Sequence, residues 1–302
     1  MRILVTGSSG LIGGALCGSL AARGHAISRL VRRAVRSPGE IAWDPVAGRI
    51  DTAALEGLDA VVHLAGAGVA DERWTPARRR ELLESRTGPT RLLADSLASL
   101  RTRPRVLVSA SAVGWYGDRG DTWLDETSAR GEGFLAEMAG EWERAAESAA
   151  TAGIRVAHPR IGLVLTTHGG ALARLLPLFR LGLGGPVGSG RQWWSWITLE
   201  DLLGALLHAI GHDDVSGPFN AVAPAPETNA EFSRALGRVL GRPALLSAPA
   251  FALRLVMGRG LADEMLLAGQ RVRPVVLART GFVFGDPALE PSLERMLARS
   301  RA

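Results

Sequence analysis

The sequence predicts an α/β protein: a doubly wound parallel sheet with a smaller C-terminal domain. A glycine-punctuated strand and helix open the chain, short apolar runs then alternate with helical stretches as far as residue 165, and the alternation turns irregular beyond it. In the opening stretch Ile3, Leu4 and Val5 form a short apolar run, and Gly7, Gly10 and Gly13 follow at three-residue spacing. Leu11, Ile12, Leu16 and Leu20 then supply a helical apolar face. That order of strand, turn and helix is the fingerprint of a dinucleotide site. Gly7 allows the sharp turn, Gly10 lets backbone approach a pyrophosphate, Gly13 lets helix and strand pack closely, and the helix N-terminus offers amide N–H groups to the anion. Gly7, Ser9, Gly10, Leu11, Ile12 and Gly13 are the candidate cradle.

A second strand is expected about 20 residues on, and His25 to Val31 fits it. It ends in Arg32-Arg33 with no acidic residue, and arginine there accommodates the 2′-phosphate of NADP(H), whereas NAD(H) selection calls for a carboxylate. NADP(H) is therefore the expected cofactor. Ile41 to Pro45 reads as a strand, followed by a turn at Gly48 and a short helix ending at Gly57. Asp59 to Gly66 is a further apolar strand running into small residues, Leu64, Ala65 and Gly66, where backbone can approach a cofactor, and its His63 reads as a satisfied core histidine. Thr75-Pro76 starts a helix that runs to Leu100. Arg105 to Ser111 is a strand whose carboxyl end presents Ser109 and Ser111 over the crevice, where an open α/β sheet places its chemistry.

The loop between Ala112 and Phe134 is long and rich in Gly, Trp and acids, a composition that suits function better than linking. A helix is expected over 134–152 and a strand from Ile154. Beyond it come an apolar helix (171–180), a glycine-rich loop (182–190), the aromatic segment Arg191 to Ile197, a helix (199–210), a short strand from Pro218 and then helices with proline-marked turns. Arg191, Trp193 and Trp196 are candidate substrate residues, the tryptophans being either core or pocket wall. Residues 1–165, with 191–225 returning to them, make the expected nucleotide-binding domain; 166–190 and 226–302 make the substrate domain.

Composition excludes several classes. With 47% hydrophobic residues the chain of 302 can bury a substantial core. The pI near 10.8 accompanies a formal charge of only +5, and every basic residue apart from histidine is arginine, scattered and not clustered, so no nucleic-acid face is expected. Cys17 is the single cysteine, which rules out an intrachain disulfide and a cysteine-based metal site. No metal is expected. The absence of a basic leader and of any apolar run near 18 residues predicts a cytoplasmic protein without a membrane partner.

Taken in order, Thr6 to Gly13, His63-Leu-Ala-Gly66, Glu84-Ser-Arg86, Ser109 to Gly117, Arg160 to Leu165 and Trp194 to Asp201 resemble an atypical, epimerase-like branch of the extended short-chain dehydrogenase/reductases, a group whose members are labelled nucleoside-diphosphate-sugar epimerases. Pro249 to Leu253, Gly269 to Pro274 and Gly281 to Phe284 are similar to that branch's C-terminal domain. The resemblance covers essentially the whole chain. It implies a Rossmann-type sheet, bound NAD or NADP, a substrate domain over the nicotinamide, and Arg86, Ser109 and Arg160 among the residues near the cofactor.

The chain departs from the wider superfamily at the acid/base pair. There a lysine four residues after a tyrosine lowers the phenol's pKa so that it exchanges a proton as hydride moves. This chain has no lysine, and the corresponding helix start reads Gly133-Phe-Leu-Ala-Glu-Met-Ala139. Its single tyrosine, Tyr116, with Ser111 and an arginine such as Arg86 or Arg160, is the candidate replacement. Two functions stay open: an NADP-dependent oxidoreductase or epimerase on a carbonyl or sugar-nucleotide-like small molecule, or an NADP(H)-binding redox-sensing or structural protein without turnover. A homodimer through residues 75–100 and 134–150 is the expected assembly, if one forms.

Overall fold

The computed structural model describes residues 1–299. Chain order is β1 (Arg2–Thr6), α1 (Leu11–Ala22), β2 (Ala26–Val31), β3 (Glu40–Asp44), β4 (Arg49–Ile50), β5 (Ala60–His63), α2 (Pro76–Ala98), β6 (Val106–Ser109), β7 (Ser111–Ala112), β8 (Trp123–Leu124), α3 (Phe134–Arg144), α4 (Glu147–Thr151), β9 (Arg155–Ile161) and β10 (Leu163–Leu165). There follow α5 (Gly170–Arg180), β11 (Trp193–Trp194), β12 (Trp196–Thr198), α6 (Leu199–Gly211), β13 (Gly217–Ala221), β14 (Glu227–Thr228), α7 (Asn229–Leu240), α8 (Ala250–Met257), α9 (Arg259–Leu261), a π-helical turn (Ala262–Leu267), β15 (Arg271–Val272), α10 (Val275–Arg279) and α11 (Leu289–Arg299).

The main sheet has the order β13-β9-β6-β5-β1-β2-β3-β4, with β7 paired to β9. Every pairing is parallel except the β3–β4 hairpin. The order reverses at β1, with β2 on one side and β5 on the other, so a crevice opens above its carboxyl end. Strands buried on both faces must be apolar throughout. Accordingly Ile3, Val5, Val62 and Val108 pack with α1 and α6 on one face, while Leu4, Val61 and Leu107 pack with Leu93 and Leu97 of α2 on the other. A separate core gathers Leu172, Leu176, Phe179, Trp196, Phe232, Leu236 and Leu293.

Three stretches differ from the sequence reading. The helix expected over 134–152 is two, α3 and α4, and the strand from residue 154 breaks at Gly162. A Cβ there would lie 2.4 Å from the Ser195 carbonyl oxygen, so the chain crosses at that point, β9 staying in the main sheet and β10 pairing with β12. Residues 276–284, placed by the sequence in the substrate domain, supply Val276, Leu277, Phe282 and Phe284 to the first core. The long loop is structured: β8 pairs with β15, Arg119 N–H donates to Gly269 O (3.0 Å), and Arg273 pairs with Asp125 (3.0 Å), tying it to the C-terminal segment.

Candidate functional site

Gly7 turns the chain with φ +67°, and a Cβ on it would lie 2.7 Å from the Leu64 carbonyl oxygen. At Gly13 the hypothetical Cβ would meet Gly7 O at 2.2 Å, closer than atoms approach, so α1 starts flush against the turn. The helix has no acidic residue in its first turn and no side-chain cap on Gly10, and its first amides lack intrahelical acceptors. Ser9 and Gly10 are exposed. Leu11 packs on Gly169 at the start of α5 (Cβ to Leu11 Cδ1 3.2 Å), and Ile12 packs on the first core. The residues expected to cradle a pyrophosphate thus lie together at the crevice, and their shape fits one.

Beside the turn, the end of β5 is held by a buried chain of hydrogen bonds. Thr6 Oγ1 accepts from Leu64 N–H (3.1 Å) and Ala65 N–H (3.2 Å) and lies 2.7 Å from His63 Nδ1. The other ring nitrogen lies 2.9 Å from Thr90 Oγ1, whose own proton goes to Arg86 O (2.6 Å). His63 Nε2 is therefore the donor and Nδ1 the acceptor, a neutral tautomer assigned from the network. Burial drives the His63 pKa down to about 4.

Behind the next residues stand two buried arginines. Arg86 donates to Leu82 O (3.0 Å) and Ala67 O (2.9 Å), leaves Nε without a partner among the described residues, and lies over the Trp142 ring. Arg78 donates to Gly68 O (2.7 Å) and pairs with Glu81. Burial, with Arg78 adding a like charge, lowers the Arg86 pKa to about 10.

At the ends of β6 and β7 the side chains turn inward. Ser111 Oγ donates to Glu143 Oε1 (2.6 Å), and Arg160 grips the same carboxylate through Nε (2.9 Å) and Nη2 (3.0 Å). Arg160 Nη1 also donates to the Tyr116 hydroxyl (3.2 Å), which donates to Asn220 Oδ1 (2.7 Å). Tyr116 is 0% exposed and Ser111 and Arg160 are each 2% exposed; burial pushes the phenol's pKa up to about 12. The structure brings Tyr116, Ser111 and Arg160 together as the sequence reading grouped them, but in a buried network closed by Glu143 and Asn220, where both hydroxyls already donate to protein acceptors. Ser109 Oγ is buried without a partner among the described residues. Sequence reasoning missed Glu143 and Asn220, which no local pattern marks.

Arg32 and Arg33 border a cleft of about 780 Å³ with Trp43, Asp44, Ile50 and Thr52. Arg33 is tied to Glu40 by two bonds of 2.9 and 2.6 Å, and that hydrogen-bonded pairing holds the Glu40 carboxyl at about 2. Arg32 has no hydrogen-bond or ion-pair partner among the described residues. Of the substrate candidates, Arg191 is exposed. Trp193 donates to Asp121 (2.6 Å) and stacks on Arg271, which also stacks on Trp123. Trp196 is 0% exposed, its indole donating to Ala225 O, and it belongs to the third core and not to a pocket wall.

Sheet order, glycine turn and an arginine-bearing cleft beyond β2 together define a dinucleotide-binding Rossmann protein with its own C-terminal domain. Residues 3–222 match the model of the NAD dependent epimerase/dehydratase family, to which the chain belongs, and residues 248–296 match a domain of unknown function, DUF1731. An epimerase family protein of Mycobacterium leprae is 44% identical over 98% of this chain and 96% of its own length. The crystal structure of human epimerase family protein SDR39U1 with NADPH superposes with a TM-score of 0.89 at 37% identity, covering 99% of each chain. A nucleoside-diphosphate sugar epimerase from Corynebacterium glutamicum gives 0.82 at 36% identity, covering 99% of this chain and 58% of that one. Among the described residues no helix is long and apolar enough to cross a membrane.

Proposed function

We propose that the chain is an NADP(H)-binding oxidoreductase or epimerase of the extended short-chain type, acting on a carbonyl or sugar-nucleotide-like small molecule without the usual Tyr/Lys pair. The observation that carries this reading is the glycine turn, where Gly13 closes on Gly7 so tightly that no side chain fits and α1 amides are left for an anion. The human relative crystallised with NADPH supports it. Gly7, Gly10 and Gly13 would hold the dinucleotide's phosphates and Arg32 the 2′-phosphate; the bound cofactor would supply hydride chemistry, leaving the protein to orient a substrate and carry a proton. A cytoplasmic location belongs to the same reading.

One observation favours the second reading, an NADP(H)-binding protein without turnover: Ser111 and Tyr116 are both engaged inside the protein. Titration with NADPH and NADH, followed by a panel of carbonyl compounds offered to the NADPH complex, separates the two. Arg32→Ala is expected to weaken NADPH binding roughly tenfold while sparing NADH, as loss of one charge-assisted phosphate contact dictates. Equal loss for both refutes the 2′-phosphate role, and no binding of either removes both readings.

A further inference from the structure

We propose that Arg86, backed by Arg78, makes this site discriminate between the two oxidation states of its nicotinamide cofactor, holding NADPH more tightly than NADP⁺. The inference rests on the dinucleotide-binding reading and deepens it. Arg86 is 6% exposed and Arg78 is 8% exposed. A buried cation is ordinarily matched by a carboxylate, yet among the described residues the Arg86 guanidinium meets two carbonyl oxygens, the Ser85 hydroxyl and an indole face and no carboxylate. The charge acting on it most is another arginine, Arg78. Arg78 has Glu81, a carboxylate 59% exposed and screened by water, and the charges of Glu72 and Asp71 also act on it. Among the described residues the Arg86 guanidinium is the positive charge left without a carboxylate beside it.

That charge lies at the nicotinamide end of the crevice. Arg32 and Arg33 follow β2 and mark the adenosine side; β5 lies on the opposite side of β1, so the backbone leaving β5 borders the other half of a dinucleotide. Arg86 Cζ would lie 3.3 Å from a Cβ on Gly66, directly under that backbone, and the two arginines grip the carbonyls of Ala67 and Gly68. The oxidised nicotinamide ring carries a positive charge and the reduced ring is neutral. Both forms carry the same phosphates, so the attraction of the arginines for the phosphates cancels in a comparison, and repulsion of the ring does not.

The test is the ratio of dissociation constants for NADP⁺ and NADPH, measured by calorimetric titration of the full chain, with NAD⁺ and NADH as a second pair lacking the 2′-phosphate. We expect about a tenfold or larger preference for the reduced form in both pairs, as repulsion across a partly buried site implies. Arg86→Met, whose side chain preserves the apolar stem, should cut that preference to about threefold or less. Arg78→Met, a milder change, should narrow it in the same direction and provides the reading if Arg86→Met does not fold. Binding of both forms with equal affinity, or a preference that both variants retain, overturns the inference and leaves the dinucleotide-binding reading intact. Binding of neither form by the wild-type protein overturns both.

Discussion

His63 shows what a single side chain decides here. It bridges Thr6 and Thr90 as a neutral ring, and protonation would set an N–H on Nδ1 against the hydroxyl that donates to it. With its pKa lowered to about 4, the folded protein binds fewer protons than the unfolded chain between that value and the ordinary 6.5. Stability therefore falls as pH drops through this window. From pH 7 to pH 4.5 denaturant unfolding should show the wild type losing about 2 to 3 kcal/mol more than His63→Gln; parallel losses would mean that the ring titrates normally. The sequence reading of His63 as a core histidine fits this position, since an apolar strand on both sides leaves an imidazole nowhere but inside. Ser111 and Tyr116 show the converse. Their place after a sheet strand marks the crevice, but the direction of each side chain depends on Glu143 from α3 and Asn220 from β13, residues 32 and 104 positions away.

Among the elements, β1, the glycine turn and α1 form the unit whose geometry is most local. Gly13→Ala forces a Cβ into backbone at 2.2 Å, with no flexible side chain to give way, and should cost about 2 to 3 kcal/mol and abolish nucleotide binding. Gly18, in the same helix, has nothing within 4 Å of a hypothetical Cβ. Gly18→Ala should stabilise α1 by about 0.5 to 1 kcal/mol and leave binding unchanged. Thermal melting with and without NADPH checks both; a folded, binding-competent Gly13→Ala would sink the account of the turn. Elements whose ends answer only to local signals were legible: Thr75-Pro76 does start α2, with Thr75 accepting from Arg78 N–H. The break at Gly162 was not, because it answers to the Ser195 carbonyl, brought there by tertiary packing.

For the molecule as a whole, a homodimer through residues 75–100 and 134–150 would have a polar interface. Among the described residues no exposed large hydrophobic side chain lies on α2, α3 or α4, and the cleft between them is lined by Arg91, Asp95, Arg144 and Glu147. Most exposed large apolar residues follow position 177 in the chain, among them Leu178, Leu181, Leu245, Phe251 and Leu255. Sedimentation checks that assembly: a dimer that charge reversal at Arg91 and Arg144 dissolves supports the helical interface, and a mass unchanged in those variants excludes it. The sequence alone determined the strand and helix alternation, the glycine turn and the arginines after β2, because period, steric room at glycine and charge are properties of neighbouring residues. Only the tertiary structure decided which polar groups meet: that Arg33 is held by Glu40, that Tyr116 is sealed inside, that Trp196 is core, and that Arg86 is buried with no counter-ion among the described residues. Those outcomes depend on the distance between residues far apart in the chain, and no local pattern encodes it.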